Sequence, residues 1–243
     1  MGAHQFFTAP ADLGGEEAVL RGDEARHAAR VLRLRVGERL LVADGRGRVA
    51  EATAVAVRPD EVRARVTALR TLAPRRPALT VVVGLVKGAK LDLVVQKLTE
   101  LGVARVAPAL CRRSVVAWDE AKRAGAVQRW ATVALAAAKQ SRRAMVPEIA
   151  PVAALPDQVA AAPPPRLVCW EGGGRPLSAA LPGDPPAALT LVVGPEGGLE
   201  AGEVAACVAA GAEPVTLGPL VLRSETAVIA GAAAVAFRYG QLG

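Results

Sequence analysis

From residue 78 to the end, short apolar runs alternate with helix-compatible segments, and this alternation restricts the possible folds more than any other feature of the chain. "ALTVVVGLV", "ARVAPAL", "RLVCW", "ALTLVVG" and "PVTLG" are each long enough for a buried strand and too short for a stable helix. Between the first two, "KLDLVVQKLTELG" places Leu91, Val94, Val95, Leu98 and Leu101 on one helical face, with Gly102 where a C′ glycine belongs. A longer helix is expected from Asp119 to Lys139. Strands alternating with helices call for a layered α/β fold with a largely parallel sheet. In such sheets ligands sit at the carboxyl ends of strands. "AALPDQVAAAPPPR" is expected to be a solvent-facing connector, on its Ala/Pro bias.

The first seventy residues have a different texture. "ERLLVADGRGRVAEATAVAV" holds two apolar-rich runs joined across Asp44-Gly45-Arg46-Gly47, a hairpin signal. "RPDE" at 58–61 offers a second turn before "VRARVTAL", which alternates with period two. A short helix is expected in "GDEARHAARVLRLRVG", with Asp23 as its N-cap. Together these make a small barrel or sandwich. The proline-bracketed "APRRP" marks a boundary, giving domains 1–73 and 74–243.

Three of the strands end on glycine, at Gly84, Gly194 and Gly218, and two of these glycines precede proline, Pro195 and Pro219. Glycine admits close approach of a ligand to backbone, and proline fixes the chain direction. Two such loops side by side form a floor of main-chain N–H and C=O groups, suited to a base and ribose; singly, each is equally a tight strand–helix turn. No P-loop, G-x-G-x-x-G at a strand–helix junction or G-x-S-x-G elbow is present. After the second loop, Ser224 stands as a candidate N-cap and Glu225 falls in the first turn of a small-residue helix. Arg223, just before them, is electrostatically disfavoured at a helix N-terminus, which points to an anion or a substrate oxygen as its partner.

The charge is unevenly spread. Residues 1–73 carry +2, residues 74–150 carry +9 and residues 151–243 carry −4. A nucleic-acid surface has this asymmetry, and so has the solvated face of an Arg-rich chain. Cys111, Cys169 and Cys207 are far apart and only two histidines occur, so no disulfide framework or metal site is expected. There is no apolar run long enough to cross a membrane and no signal-peptide pattern, so a cytoplasmic protein is expected.

"LVVGPEGGLEAGE" followed by "LGPLVLRSETA" resembles the signature of the SPOUT-class methyltransferases that modify a uracil at N3 in 16S ribosomal RNA. "HAARVLRLRVGERLLVADGRG" resembles the family's PUA-like RNA-binding barrel. "VGLVKGAKLDLVVQKLTELGVARVAPALCRRSVV" and "KQSRRAMVPEI" resemble the start of its catalytic domain. The resemblance implies a knotted α/β domain that binds S-adenosylmethionine and works as a homodimer on 16S rRNA or the small ribosomal subunit. By position it assigns the methyl donor to Val193, Gly194, Pro195, Glu196, Gly197, Gly198, Leu217, Gly218, Leu222, Thr226 and Ala227, with Glu171 nearby. Arg223 and Glu225 then face the reacting groups. Two positions depart from the family's pattern: Lys139 precedes Gln140-Ser141 where the family often has Glu, and Gln5 stands where it often has Arg.

Phosphate contacts are expected from Arg33 and Arg35 in the barrel. Lys87, Lys90, Arg112, Arg113, Arg142 and Arg143 are expected to add to them from the middle third. Methylation at N3 requires removal of a proton that is mostly present at neutral pH. Glu225 is the first candidate acceptor and Glu196 the second. The same chemistry on another RNA position, a non-catalytic RNA-binding protein of this fold, and a nucleotide-binding enzyme with a basic surface are the alternatives.

Overall fold

The computed structural model describes residues 4–114 and 118–242. The chain divides into two compact units. The first comprises Met1–Pro74 with Ala138–Val146, and the second Arg75–Ala137 with Pro147–Gly243.

The first unit is built on five strands: β1 (His4–Phe7), β2 (Glu17–Arg21), β3 (Arg39–Ala43), β4 (Arg48–Val57) and β5 (Glu61–Thr71). They form one sheet in the order β1-β3-β4-β5-β2, antiparallel throughout except for β1 beside β3. The β4–β5 ladder shifts register twice, at Glu51/Ala52 and at Ala54/Ala56. Such bulges bend a sheet. Alanines 50, 52, 54 and 64 on its buried face leave room for the curl around Phe6, Leu20, Leu40 and Val62. The result is a single curled five-stranded sheet, not a sandwich. The β3–β4 hairpin closes as the sequence predicts, because the buried Asp44 carboxylate accepts the amides of Arg46 (2.8 Å) and Arg48 (3.0 Å).

The expected short helix forms as α1 (Gly22–Arg26), continued by a π-helical turn over His27–Val31, and is not capped by Asp23. Arg21 occupies the N-cap position, and Asp23 lies in the first turn, where its exposed carboxylate pairs with Arg26. An (i, i+3) ion pair has displaced the capping bond.

Both departures from the family's pattern meet partners inside this unit. Gln5 donates to the Arg143 carbonyl (2.9 Å) and Lys139 pairs with Glu24, whose other oxygen accepts the Phe7 amide (3.0 Å). Met145 bridges to Gly45 and Arg46, and Val146 donates to the Gly45 carbonyl (3.0 Å).

The second unit is an α/β layer structure. Its strands are β6 (Ala78–Gly84), β7 (Arg105–Leu110), β8 (Glu148–Ile149), β9 (Ala153–Ala154), β10 (Arg166–Cys169), β11 (Arg175–Pro176), β12 (Ala188–Val193) and β13 (Ala212–Thr216). Their order is β11-β13-β10-β12-β6-β7-β8, with β9 also on β7, and every pairing is parallel. A parallel sheet covered on both faces needs strands that are apolar throughout, and Val81, Val82, Val83, Leu189, Leu191 and Val192 are all buried.

The helices are α2 (Lys90–Glu100), α3 (Glu120–Gln140), α4 (Leu155–Ala161), α5 (Leu177–Ala180), α6 (Ala201–Ala209) and α7 (Ser224–Arg238). Helix α2 packs with α7, and α7 packs on β6 and β12. A Cβ on Gly231 of α7 would lie 2.7 Å from Leu191, so the small residues of this helix permit close contact with the sheet. Val82, Val168 and Val192 share a second cluster with Leu155 and Val159 of α4 and Val204 and Cys207 of α6.

Helix α4 corrects the expectation of a solvent-facing connector. Leu155, Gln158, Val159 and Ala162 fall at helical spacing and are buried; Gln158 donates to the Pro108 and Pro151 carbonyls. The proline in this stretch sits in the first helical turn, where its missing N–H has no intrahelical role.

Candidate functional site

Three neighbouring strands, β10, β12 and β13, end around one cavity of about 240 Å³. Its floor is the Gly194–Gly198 loop after β12. One wall is the loop from Thr216 to Leu222 after β13, and another is Cys169, Trp170 and Glu171 after β10. The loops are held together from below. A Cβ on Gly84, at the end of β6, would lie 2.5 Å from the Pro195 nitrogen and 2.8 Å from the Gly194 carbonyl carbon. One on Gly194 would lie 2.8 Å from Leu199. Backbone thus packs on backbone where β6 and β12 end, and only glycine fits there.

Gly198 has φ +72°, and its missing side chain makes room for the Glu171 carboxylate. Gly197 is crowded by the Cβ of Arg113, whose guanidinium donates to the Gly197 carbonyl (3.0 Å). Past the loop, Glu200 and Glu203 form a reciprocal cap on α6, and Glu203 also accepts the Arg112 amide (2.8 Å).

Ser224 joins the two loops. It is buried, and its hydroxyl donates to the Gly194 carbonyl (2.7 Å). Arg223, not Ser224, holds the N-cap position of α7, with no side-chain capping bond. The expected cap is therefore a corrected assignment: tertiary contact with Gly194 has taken the hydroxyl that a local cap would have used.

Glu171, Val193, Gly194, Pro195, Glu196, Gly197, Gly198, Leu217, Gly218, Leu222 and Ala227 all line the cavity; Thr226 does not. Sequence reasoning did not place Cys169, Leu199, Thr216, Pro219, Leu220, Val221 or Ser224 on its lining. Leu199, Pro219, Leu220, Val221 and Ser224 were inside the quoted motifs, but Leu220 and Val221 carried no chemical signal. Of the cavity's two carboxylates, Glu171 lies on the wall and Glu196 on the floor; no Arg or Lys is among the lining residues, and Lys90 reaches Glu196 from outside them. Cys169 is no nucleophile here, since burial pushes its thiol up to about 12.

Arg223 and Glu225 flank Ser224 but do not line the cavity. Arg223 is exposed and has no ion-pair partner among the described residues. Glu225 is partly buried. Its Oε1 lies 3.7 Å from Lys90 Nζ, and its Oε2 is a buried acceptor with no donor among the described residues. Lys90 also donates to Glu196 Oε1 (3.1 Å), which accepts the Lys87 amide as well (3.2 Å). Burial raises the Glu196 carboxyl, but the Lys90 ammonium and the amides of Glu196 and Lys87 outweigh it, and the net shift is downward.

The residues expected on RNA sort into three groups. Lys87, Arg33, Arg35 and Arg142 are exposed, the three arginines all in the first unit, with Arg33 and Arg142 at φ +52° and +56°. Arg112 and Arg113 face Glu200 at 3.9 and 3.6 Å, and Arg113 is bound to the cavity floor. Lys90 lies between two carboxylates. Arg142 and Arg143 belong to the first unit rather than to the second.

The described residues contain no group of side chains able to hold a metal ion and no helix long and apolar enough to cross a membrane. The cavity suits S-adenosylmethionine in its chemistry. Bare backbone at Gly194, Gly197, Gly198 and Gly218 offers main-chain groups, Trp170, Leu217 and Leu222 offer apolar surface, and the two carboxylates match a cationic ligand.

Residues 74–236 match a family model described as an RNA methyltransferase domain, and residues 20–67 match an RNA methyltransferase PUA domain. The chain is 38% identical over 230 residues to Ribosomal RNA small subunit methyltransferase E of Mycobacterium tuberculosis, covering 91% of this chain and 86% of that one. It is 29% identical to the protein of the same name from Bacillus subtilis, covering 90% and 89%. The crystal structure of a Ribosomal RNA small subunit methyltransferase E from Neisseria gonorrhoeae bound to S-adenosyl methionine superposes with a TM-score of 0.85 at 28% identity, over 97% of each chain.

Proposed function

Because this chain belongs to the RNA methyltransferase family, we infer that it uses S-adenosylmethionine to methylate N3 of a uridine in the 16S RNA of the small ribosomal subunit. The observation that carries this is the cavity itself. Both motif loops converge on it, in a fold that matches a cofactor-bound relative along nearly its whole length. The fold is a SPOUT-type α/β domain preceded by a PUA-like half-barrel.

When bound, S-adenosylmethionine supplies an electrophilic methyl group on a sulfonium centre. The chain's own residues hold and polarise the reactants. The Gly194–Gly198 and Gly218–Leu222 loops hold the cofactor, with Trp170 and Leu217 as apolar walls. Arg223, exposed and with no ion-pair partner among the described residues, stands beside the wall residue Ser224 and is the cation able to stabilise negative charge developing on the uracil oxygens flanking N3. Such help is worth about 3–4 kcal/mol in other enzymes. Glu225 is the proposed proton acceptor, or the group that orients one. Its donorless Oε2 is the kind of atom that a substrate N–H would satisfy.

The exposed arginines of the first unit are the proposed RNA surface, and Arg113 is reassigned to holding the cavity floor. The protein is proposed to act in the cytoplasm as a homodimer. Support for a homodimer comes from α7: its buried face is spent on the sheet, while Thr226, Ala230, Ala234 and Phe237 form an exposed stripe.

Arg223→Ala and Glu225→Gln are expected to bind S-adenosylmethionine as the parent does and to lose most single-turnover methylation at saturating RNA. Calorimetry and rapid-quench assays check this. A wild-type rate for Glu225→Gln at neutral pH would remove Glu225 from the mechanism. Absence of cofactor binding by the unaltered protein would remove the methyltransferase function, leaving a non-catalytic RNA-binding protein.

A further inference from the structure

Lys90 is the first residue of α2, and it meets both halves of the site. Its ammonium is 3.1 Å from Glu196, on the cavity floor, and 3.7 Å from Glu225, in the first turn of α7. The segment that delivers it follows the end of β6, whose Gly84 already packs against Gly194 and Pro195. The floor loop and the start of α7 are thus tied twice: once by the Ser224–Gly194 hydrogen bond, which is neutral, and once by Lys90, which is charged. Among the described residues, the charged groups near Glu196 come from four elements, and Glu171 shares the cavity with it from the segment after β10. Lys90 approaches from α2, Glu225 lies beyond it on α7, and Arg113 donates to the adjacent Gly197 carbonyl.

A cation placed between two carboxylates is a poor candidate for binding a phosphate, because RNA would have to compete with both. It is well placed to keep them apart. Without it, two like charges would face each other across the junction of the loops, and the Glu196 carboxyl would lose the partner that holds it low.

We propose that Lys90 is a positioning residue of the methyl-transfer site, which couples the cofactor loop to Glu225 through Glu196, and not a contact to RNA. This rests on the methyltransferase function proposed above.

The test compares Lys90→Met and Lys90→Arg with the unaltered protein, using S-adenosylmethionine and rRNA as probes. Removing the charge takes away the partner that holds the Glu196 carboxyl low, so the acid limb of cofactor affinity against pH should move upward in Lys90→Met. Lys90→Arg should keep the parent's limb. On RNA, Lys90→Met should leave the salt dependence of affinity unchanged, whereas loss of a phosphate contact lowers the log–log slope by about one. Single-turnover rates of Lys90→Met and Glu225→Gln should be non-additive when combined. An unmoved acid limb in Lys90→Met, a displaced limb in Lys90→Arg, a slope lowered by one, or additive rates would each overturn the proposal. Should Lys90→Met not fold, the Lys90→Arg limb still decides. The unaltered protein's cofactor binding and methylation in the same assays report separately on the enzymatic function.

Discussion

The two loops that meet at the cavity look alike in sequence, each a strand running into Gly-Pro, yet they are built on opposite principles. The first is crowded. Gly84, Gly194 and Gly197 each leave no room for a Cβ, and the atoms in the way are Pro195, Leu199 and the stem of Arg113. The second is open. Gly218 has φ +127° but nothing within 4 Å of where its Cβ would be, and Leu220 and Val221 are 78% and 88% exposed. The same dipeptide therefore serves close packing in one loop and backbone conformation in the other. A crowded floor faces a wall that is held at Gly218 by backbone conformation and by hydrogen bonds with the Thr216 hydroxyl.

Substitutions can break this contrast, and the effects should descend in order. Gly84→Ala forces a methyl group against backbone that cannot rotate away, and should lower stability by roughly 2–3 kcal/mol in urea denaturation, with cofactor binding weakened too. Gly197→Val should abolish S-adenosylmethionine binding in calorimetry while the circular dichroism spectrum stays native. The structure sharpens the reason, since the new side chain displaces Arg113 as well as crowding the ligand. Gly218→Ala meets no atom, only a strained φ, so its cost should be about 1–2 kcal/mol. Leu220→Ala should leave stability within about 0.5 kcal/mol of the parent and weaken cofactor affinity less than tenfold. Equal losses for Gly84→Ala and Leu220→Ala would erase the distinction between floor and wall.

Much of this was legible in the residues, for identifiable reasons. The second unit's longer strands and α2 announce themselves through periodicity. The cavity floor announces itself through two Gly-Pro loops at strand ends, which as a pair are harder to explain as tight turns than either is alone. What escaped was of two kinds. Helix α4 was masked by composition: alanine and proline blur the boundary between helix and connector, and the spacing of Leu155, Gln158, Val159 and Ala162 is the signal that would have found it. The roles of Ser224 and Lys90 were masked by distance. Each has a local or generic role open to it, as cap or as phosphate contact, and each is bonded to a group far along the chain: Gly194 for one, Glu196 for the other. Local propensity ranks local partners only. Arg113 teaches the same lesson, being basic and exposed enough for RNA and yet fastened to Gly197.

The first unit is not continuous in the chain. Ala138–Val146 returns to it after 63 residues of the second unit have been laid down, and supplies the partners of Gln5, Glu24 and Gly45. On a chain made from its N-terminus, the half-barrel's strands are complete once Thr71 has emerged, but those three partners are not. The N-terminal domain therefore acquires its last contacts only after the first segment of its neighbour, Arg75–Ala137, has been synthesised. A nascent fragment ending at Pro74 should accordingly be cleaved by protease faster than one reaching Val146.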